Sequence, residues 1–143
     1  MTRLNTAQNR LRQARNVPSA LDAACDAFED ILRVIGSYEE SATSTETAIV
    51  FLLVATQAAN GRDAMLFAPS LPPQALHAPA SAGEWRQPGV QDLQAAIAGL
   101  AGLLAGGLGH TATTAPDGAD RAACRAAAAC ATRIHYLLAR PGP

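Results

Sequence analysis

The sequence predicts an all-α protein: a single-domain helical bundle of four or five helices with a long proline-rich crossover loop. Three observations carry this. Apolar residues recur three and four positions apart in five separate segments, the spacing of one helix face. No stretch alternates apolar and polar residues as a half-buried strand does. Alanine, the best helix former, supplies 33 of the 143 residues, while aromatic residues make up only 4%. Helices faced with alanine approach closely but bury little apolar area per contact. Long helices or a second copy of the chain are therefore expected to complete the core.

The first helix is placed at about 2–15, with Leu4, Ala7, Leu11 and Ala14 on one face and Pro18 as its stop. The second, about 20–35, begins at Ser19 with Asp22 as a capping partner and ends at Gly36. Its stripe is Leu21, Ala24, Cys25, Phe28, Ile31, Leu32 and Ile35. The third, about 44–67, opens with Thr43 and Glu46 as a capping box and contains "AIVFLLVA", apolar on every side. Such a helix is expected to be buried all round. Pro69 ends it. The fourth, about 90–107, carries Val90, Leu93, Ile97, Leu100, Leu104 and Leu108. Its glycines, Gly99, Gly102, Gly106 and Gly107, weaken it and are expected to let another backbone come close. "GHTATTAPDG" reads as a turn. The fifth helix, about 118–139, has Ala123, Ala127, Cys130, Ile134 and Leu137 or Leu138 as its buried stripe.

The length fits one domain, residues 1–143. All eleven basic residues are arginine and the net charge is −1, which does not suit a general polyanion binder. Three cysteines, Cys25, Cys124 and Cys130, are an odd and sparse set that fits a reducing compartment. The opening residues hold no apolar signal-like run. "AAIAGLAGLLAGGLG", Ala95 to Gly109, falls short of the roughly 20 residues a membrane span needs. A cytoplasmic protein without membrane contact is expected.

Candidate chemistry is sparse. Arg3, Arg10, Arg12 and Arg15 give the first helix a basic face, the one candidate for a nucleic-acid module. The second helix carries Asp22, Asp26, Glu29 and Asp30, so matched rims between the two helices are the simpler reading, and no specific nucleic acid is expected. Histidine and cysteine spacings fit no metal site, and no nucleotide-loop or hydrolase motif occurs, so neither a metal nor a cofactor is expected. Glu39, Glu46, Arg62 and Asp63 are ligand or ion-pair candidates should the bundle bring them together.

The loop at 68–89 holds five prolines, counting Pro69 and Pro88, and the single tryptophan. Loops this long in a compact domain are uncommon and usually functional. Leu71, Leu76 and Trp85 are expected to anchor it on the bundle or to meet a partner, and its length would let the third and fourth helices run parallel or let it cross an end of the bundle. These readings converge on a non-catalytic interaction or scaffold protein that self-associates as a homodimer through its first or fourth helix. The alternative is a small-molecule-binding bundle with a pocket between helices three and four.

Overall fold

The computed structural model describes residues 2–39, 44–73 and 89–139. It is an all-α bundle of five helices: α1 Thr2–Gln13, α2 Val17–Glu39, α3 Thr45–Met65, α4 Val90–Thr114 and α5 Gly118–Ala139. Among the described residues there is no strand.

Local chemistry explains each boundary, including those that differ from expectation. α2 starts three residues early because Asn16, not Ser19, is its cap. The Asn16 side-chain oxygen accepts the Ser19 N–H at 2.9 Å, and the Asn16 N–H donates to Ser19 Oγ at 3.3 Å, a reciprocal capping box. Pro18 falls in the first turn, where its missing N–H is not needed. Gly36 does not end the helix: it keeps negative φ and the chain stays helical to Glu39. α3 is capped by Ser44, whose Oγ accepts the Thr47 N–H at 3.1 Å. Thr43 lies outside the described residues.

α4 runs seven residues past the expected 107, through the segment read as a turn. Glycine in a helix interior costs about 1 kcal/mol relative to alanine but does not stop it. The hydroxyl of Thr111 donates to the Gly107 carbonyl, and those of Thr113 and Thr114 donate to the His110 carbonyl. The helix stops where it must, at Ala115, extended because Pro116 follows. Asp117 then caps α5, accepting from the N–H groups of Ala119 and Asp120 at 2.8 and 3.0 Å.

The chain directions follow from contacts. Ser70, just past α3, donates its N–H to buried Asp120 in the first turn of α5 at 3.0 Å, so α3 ends where α5 begins. A short turn joins α4 to α5, making them antiparallel as well. α3 and α4 therefore run parallel, and the connection between them joins opposite ends of the bundle. Around the bundle the order is α2, α3, α5, α4, with α1 laid against α2 and α4. The expected stripes point inward: Leu4 and Ala7 of α1, Phe28, Ile31 and Ile35 of α2, Leu93 to Leu108 of α4, and Ala127 and Ile134 of α5 are all buried.

α3 departs from expectation. It buries Phe51, Val54, Ala58, Gly61 and Met65 on one face only. Ile49, Leu52 and Leu53 remain 53%, 60% and 46% exposed on the other. At 25 residues α4 outlasts the apolar stretch it contains. Among the described residues it is the one helix long and apolar enough to cross a bilayer by composition, with 39% of its apolar window buried in the bundle.

Candidate functional site

The predicted ion-pair cluster does not assemble. Glu46 is exposed in the first turn of α3, whereas Arg62 and Asp63 lie in its last turns. Sixteen residues of helix rise separate them, about 24 Å. Arg62 and Asp63 pair with each other at 3.4 Å. Glu39 closes α2, and its side chain lies outside what the structure describes.

The basic face of α1 resolves into unlike members. Arg10 is bound by α2: one guanidinium nitrogen pairs with buried Asp26 and another meets Asp22 at 3.1 Å. Burial opposes its charge, but the Asp26 hydrogen bond and the charges of Asp26, Asp22 and Asp30 outweigh this, so its pKa is raised. Glu29 and Asp30 pair instead with Arg33 of their own helix, at 3.5 and 3.4 Å. Arg12 and Arg15 remain exposed, and the Arg3 side chain is outside the described set.

α2 and α5 lie between α3 and α4 around the bundle. A cavity lies among α1, α2 and α4. It measures 380 Å³ and is open along one side. Leu11, Ala20, Ala24, Leu103 and Leu108 make its walls apolar, Gly106 and Gly107 contribute bare backbone, and Arg12, His110 and Thr111 supply polar groups. Gly106 and Gly107 were expected to admit a neighbouring helix. They do not: a Cβ placed on either would meet nothing within 4 Å. The close approach occurs at Gly61 of α3, where a Cβ would lie 2.5 Å from the Phe28 ring.

Of the loop anchors, Leu71 is half-buried and packs against the core. Leu76 and Trp85 lie outside the described residues. The tether that sequence reasoning missed is Asp120. It is 1% exposed, and its two oxygens accept the Ser70 N–H and hydroxyl. Its signal was a second acid three residues after the Asp117 cap, readable only as favourable to the helix dipole.

The thiols are sequestered. Burial, with help from Glu29, Asp26 and Asp22, pushes Cys25 up to about 11; burial and Asp120 push Cys124 to about 11. Burial likewise raises Cys130, against the pull of Arg133. Among the described residues, no group of three or more His, Cys, Asp or Glu is placed to hold a metal ion.

The second feature that sequence reasoning missed is an outer apolar face. Ile49, Leu52 and Leu53 of α3 stand in the half of the bundle away from the Ser70–Asp120 tether, at the same end as Tyr136 of neighbouring α5, which is 71% exposed. The uniform hydrophobicity of "AIVFLLVA" did signal more apolar surface than one face can bury.

No family model, curated protein or solved structure matches this chain.

Proposed function

We propose that this protein is a non-catalytic helical interaction module that self-associates, with the outer face of α3 and α5 as the contact. The observation that carries this reading is the exposed Ile49–Leu52–Leu53 patch. The face is uneven along its length. Toward the start of α3 and the end of α5 it is apolar, with Ile49, Leu52, Leu53 and Tyr136; its middle is polar, with Asn60 and Asp63 from α3 and Arg125 from α5, and just past α3, beside the tether, Leu66 and Phe67 are again exposed, 60% and 80%.

The charged middle of the face favours a second copy in one arrangement. A two-fold axis along the helices lays α3 over the partner's α5, apolar end on apolar end, and brings Asp63 toward the partner's Arg125. An axis across the helices would instead set Ile49, Leu52 and Leu53 against the partner's exposed Leu66 and Phe67 and leave Asp63 without that cation. Each helix is about 32 Å long and about 10 Å across, so two side by side offer roughly 600 Å² per protomer. That is near the lower end of stable interfaces, whose standard size is about 800 Å² per partner. Covering three half-exposed aliphatic side chains on each protomer gains about 1 kcal/mol apiece, against an association cost of several kcal/mol. The dimer is therefore expected to be weak and to form only as protein concentration rises. The commitment of Arg10 to α2 supports a reading without specific nucleic acid.

Sedimentation velocity across low to high micromolar protein tests this. A concentration-dependent dimer that Leu52→Glu and Leu53→Glu together abolish, with helicity unchanged, is the expected result. A monomer throughout, or a dimer indifferent to those substitutions, would falsify the reading.

A further inference from the structure

We propose that the cleft between α1, α2 and α4 binds a small amphipathic anion: a single alkyl chain ending in a carboxylate. Four observations converge on it. The volume, 380 Å³, lies in the range of ligand pockets and equals about a dozen water-sized groups at roughly 30 Å³ each. The interior surface is chiefly aliphatic, from Leu11, Leu103 and Leu108. No acidic residue lines it, and its one fixed cation is Arg12. Arg12 enters no salt bridge among the described residues, whereas Arg10 two positions earlier is held by Asp22 and Asp26.

The fourth observation concerns Gly106 and Gly107. Adjacent glycines in the middle of a 25-residue helix weaken it and leave its backbone uncovered. Here nothing lies within 4 Å of either added Cβ. Both glycines are solvent-exposed, so this edge of the cleft is bare helix backbone that no side chain covers and that a bound chain could lie against. Arg12 at the rim would take the carboxylate, with the His110 ring beside it; the Thr111 hydroxyl is committed to the Gly107 carbonyl and gives the anion no hydrogen. The alkyl chain would lie along the glycine backbone between the leucines. This inference does not depend on the dimer contact, which is placed on α3 and α5.

The test is calorimetric titration of the full chain with decanoate below its micelle concentration. One saturable site per chain is expected. Gly106→Leu fills the cleft from a position with open space around it and is expected to weaken binding by at least about tenfold. Gly106→Ala should leave it within about twofold, since one methyl group takes little of the volume. Arg12→Gln is expected to weaken decanoate about fivefold, the scale of an exposed ion pair, and to leave uncharged decanol unaffected. Each variant is checked for helicity and melting temperature. No saturable heat from the wild type, undiminished binding by Gly106→Leu, or loss through Leu52→Glu instead would overturn the proposal. Vesicles carrying anionic phospholipid form the second arm. Partition onto them without any response to dissolved decanoate would mean that a bilayer surface is recognised, and would equally overturn it.

Discussion

Two glycine-bearing regions of this bundle look alike in sequence and differ in the folded protein. At the α2–α3 seam, Gly61 lets the Phe28 ring lie where a side chain would be, and both residues are buried. On the outer side of α4, Gly106 and Gly107 face open space. Each glycine weakens its helix by about the same amount, roughly 1 kcal/mol against alanine. At the seam the loss is offset by contact: Phe28 is fully buried, and Tyr38 and Phe51 further along meet edge to face with ring centroids 6.1 Å apart. At the cleft no contact offsets it. The same residue type thus marks the tightest packing in one place and unfilled volume in the other.

Thiol chemistry sharpens the contrast most. Cys25 lies on the seam side, close enough for Arg62 of α3 to act on it, and its pKa stands at about 11. At pH 8 its thiolate population is about a hundredfold below that of an ordinary thiol near 9, before any steric exclusion is counted. A cysteine introduced by Gly106→Cys in the open cleft has no such environment. With a colorimetric disulfide reagent, the introduced thiol is expected to react at least about a hundredfold faster than Cys25. Comparable rates would mean that the seam opens as readily as the cleft. The sign with pH follows from the raised values. The fold favours the neutral thiols of Cys25 and Cys124, so their contribution is complete below about pH 9 and is lost as pH rises toward 11. The melting temperature is expected to fall across that window, less so once Cys25 is replaced by alanine.

Packing provides the next largest effect. In Gly61→Ala, the new methyl group would sit 2.5 Å from Phe28 Cε1 and Cζ. The ring has no solvent to turn into, so the helices must part or the ring must leave its rotamer, at a cost of about 1–3 kcal/mol despite alanine's better helix propensity. Denaturant unfolding measures it. Adding Phe28→Leu removes the colliding ring atoms, so the double variant is expected to be more stable than the sum of the two singles. Strict additivity would show that the contact at Gly61 is not what limits packing there.

How much of this was legible follows from what each signal measures. Spacing of apolar residues located all five helices and most of their inward faces, because burial and periodicity are one physical fact. Boundaries moved where two caps competed. Asn16 with Ser19 prevailed over Ser19 with Asp22, and glycine at 36, 106 and 107 proved compatible with continued helix. The outer face of α3 was misread because "AIVFLLVA" is apolar on all sides, and hydrophobicity alone does not say how many neighbours a helix has. The cleft was unreadable in a different way. Its walls come from α1, α2 and α4, and no local pattern reveals which helices leave a gap. Nor does sequence separate Arg10, which pairs with α2, from Arg12, which faces the cleft.

Gly106→Ala carries the smallest expected effect and bears most directly on the comparison. No glycine among the described residues has positive φ, so alanine meets no backbone strain at 106. Its Cβ meets no neighbour, so nothing must shift. What remains is the helix term: less conformational entropy to lose from the unfolded chain and a better helix former in the middle of α4. The variant is expected to gain about 0.5–1 kcal/mol, a rise of a few degrees in melting temperature for a chain of this size. Thermal unfolding of Gly106→Ala beside Gly61→Ala reads the two regions with one chemical change, and the shifts should have opposite sign. A loss of stability at 106 would mean that the space there is already filled in solution, and the cleft would then close to small anions as well. A gain shows that α4 is less stable than its own sequence position allows, with the missing methyl group leaving room that no part of the fold uses.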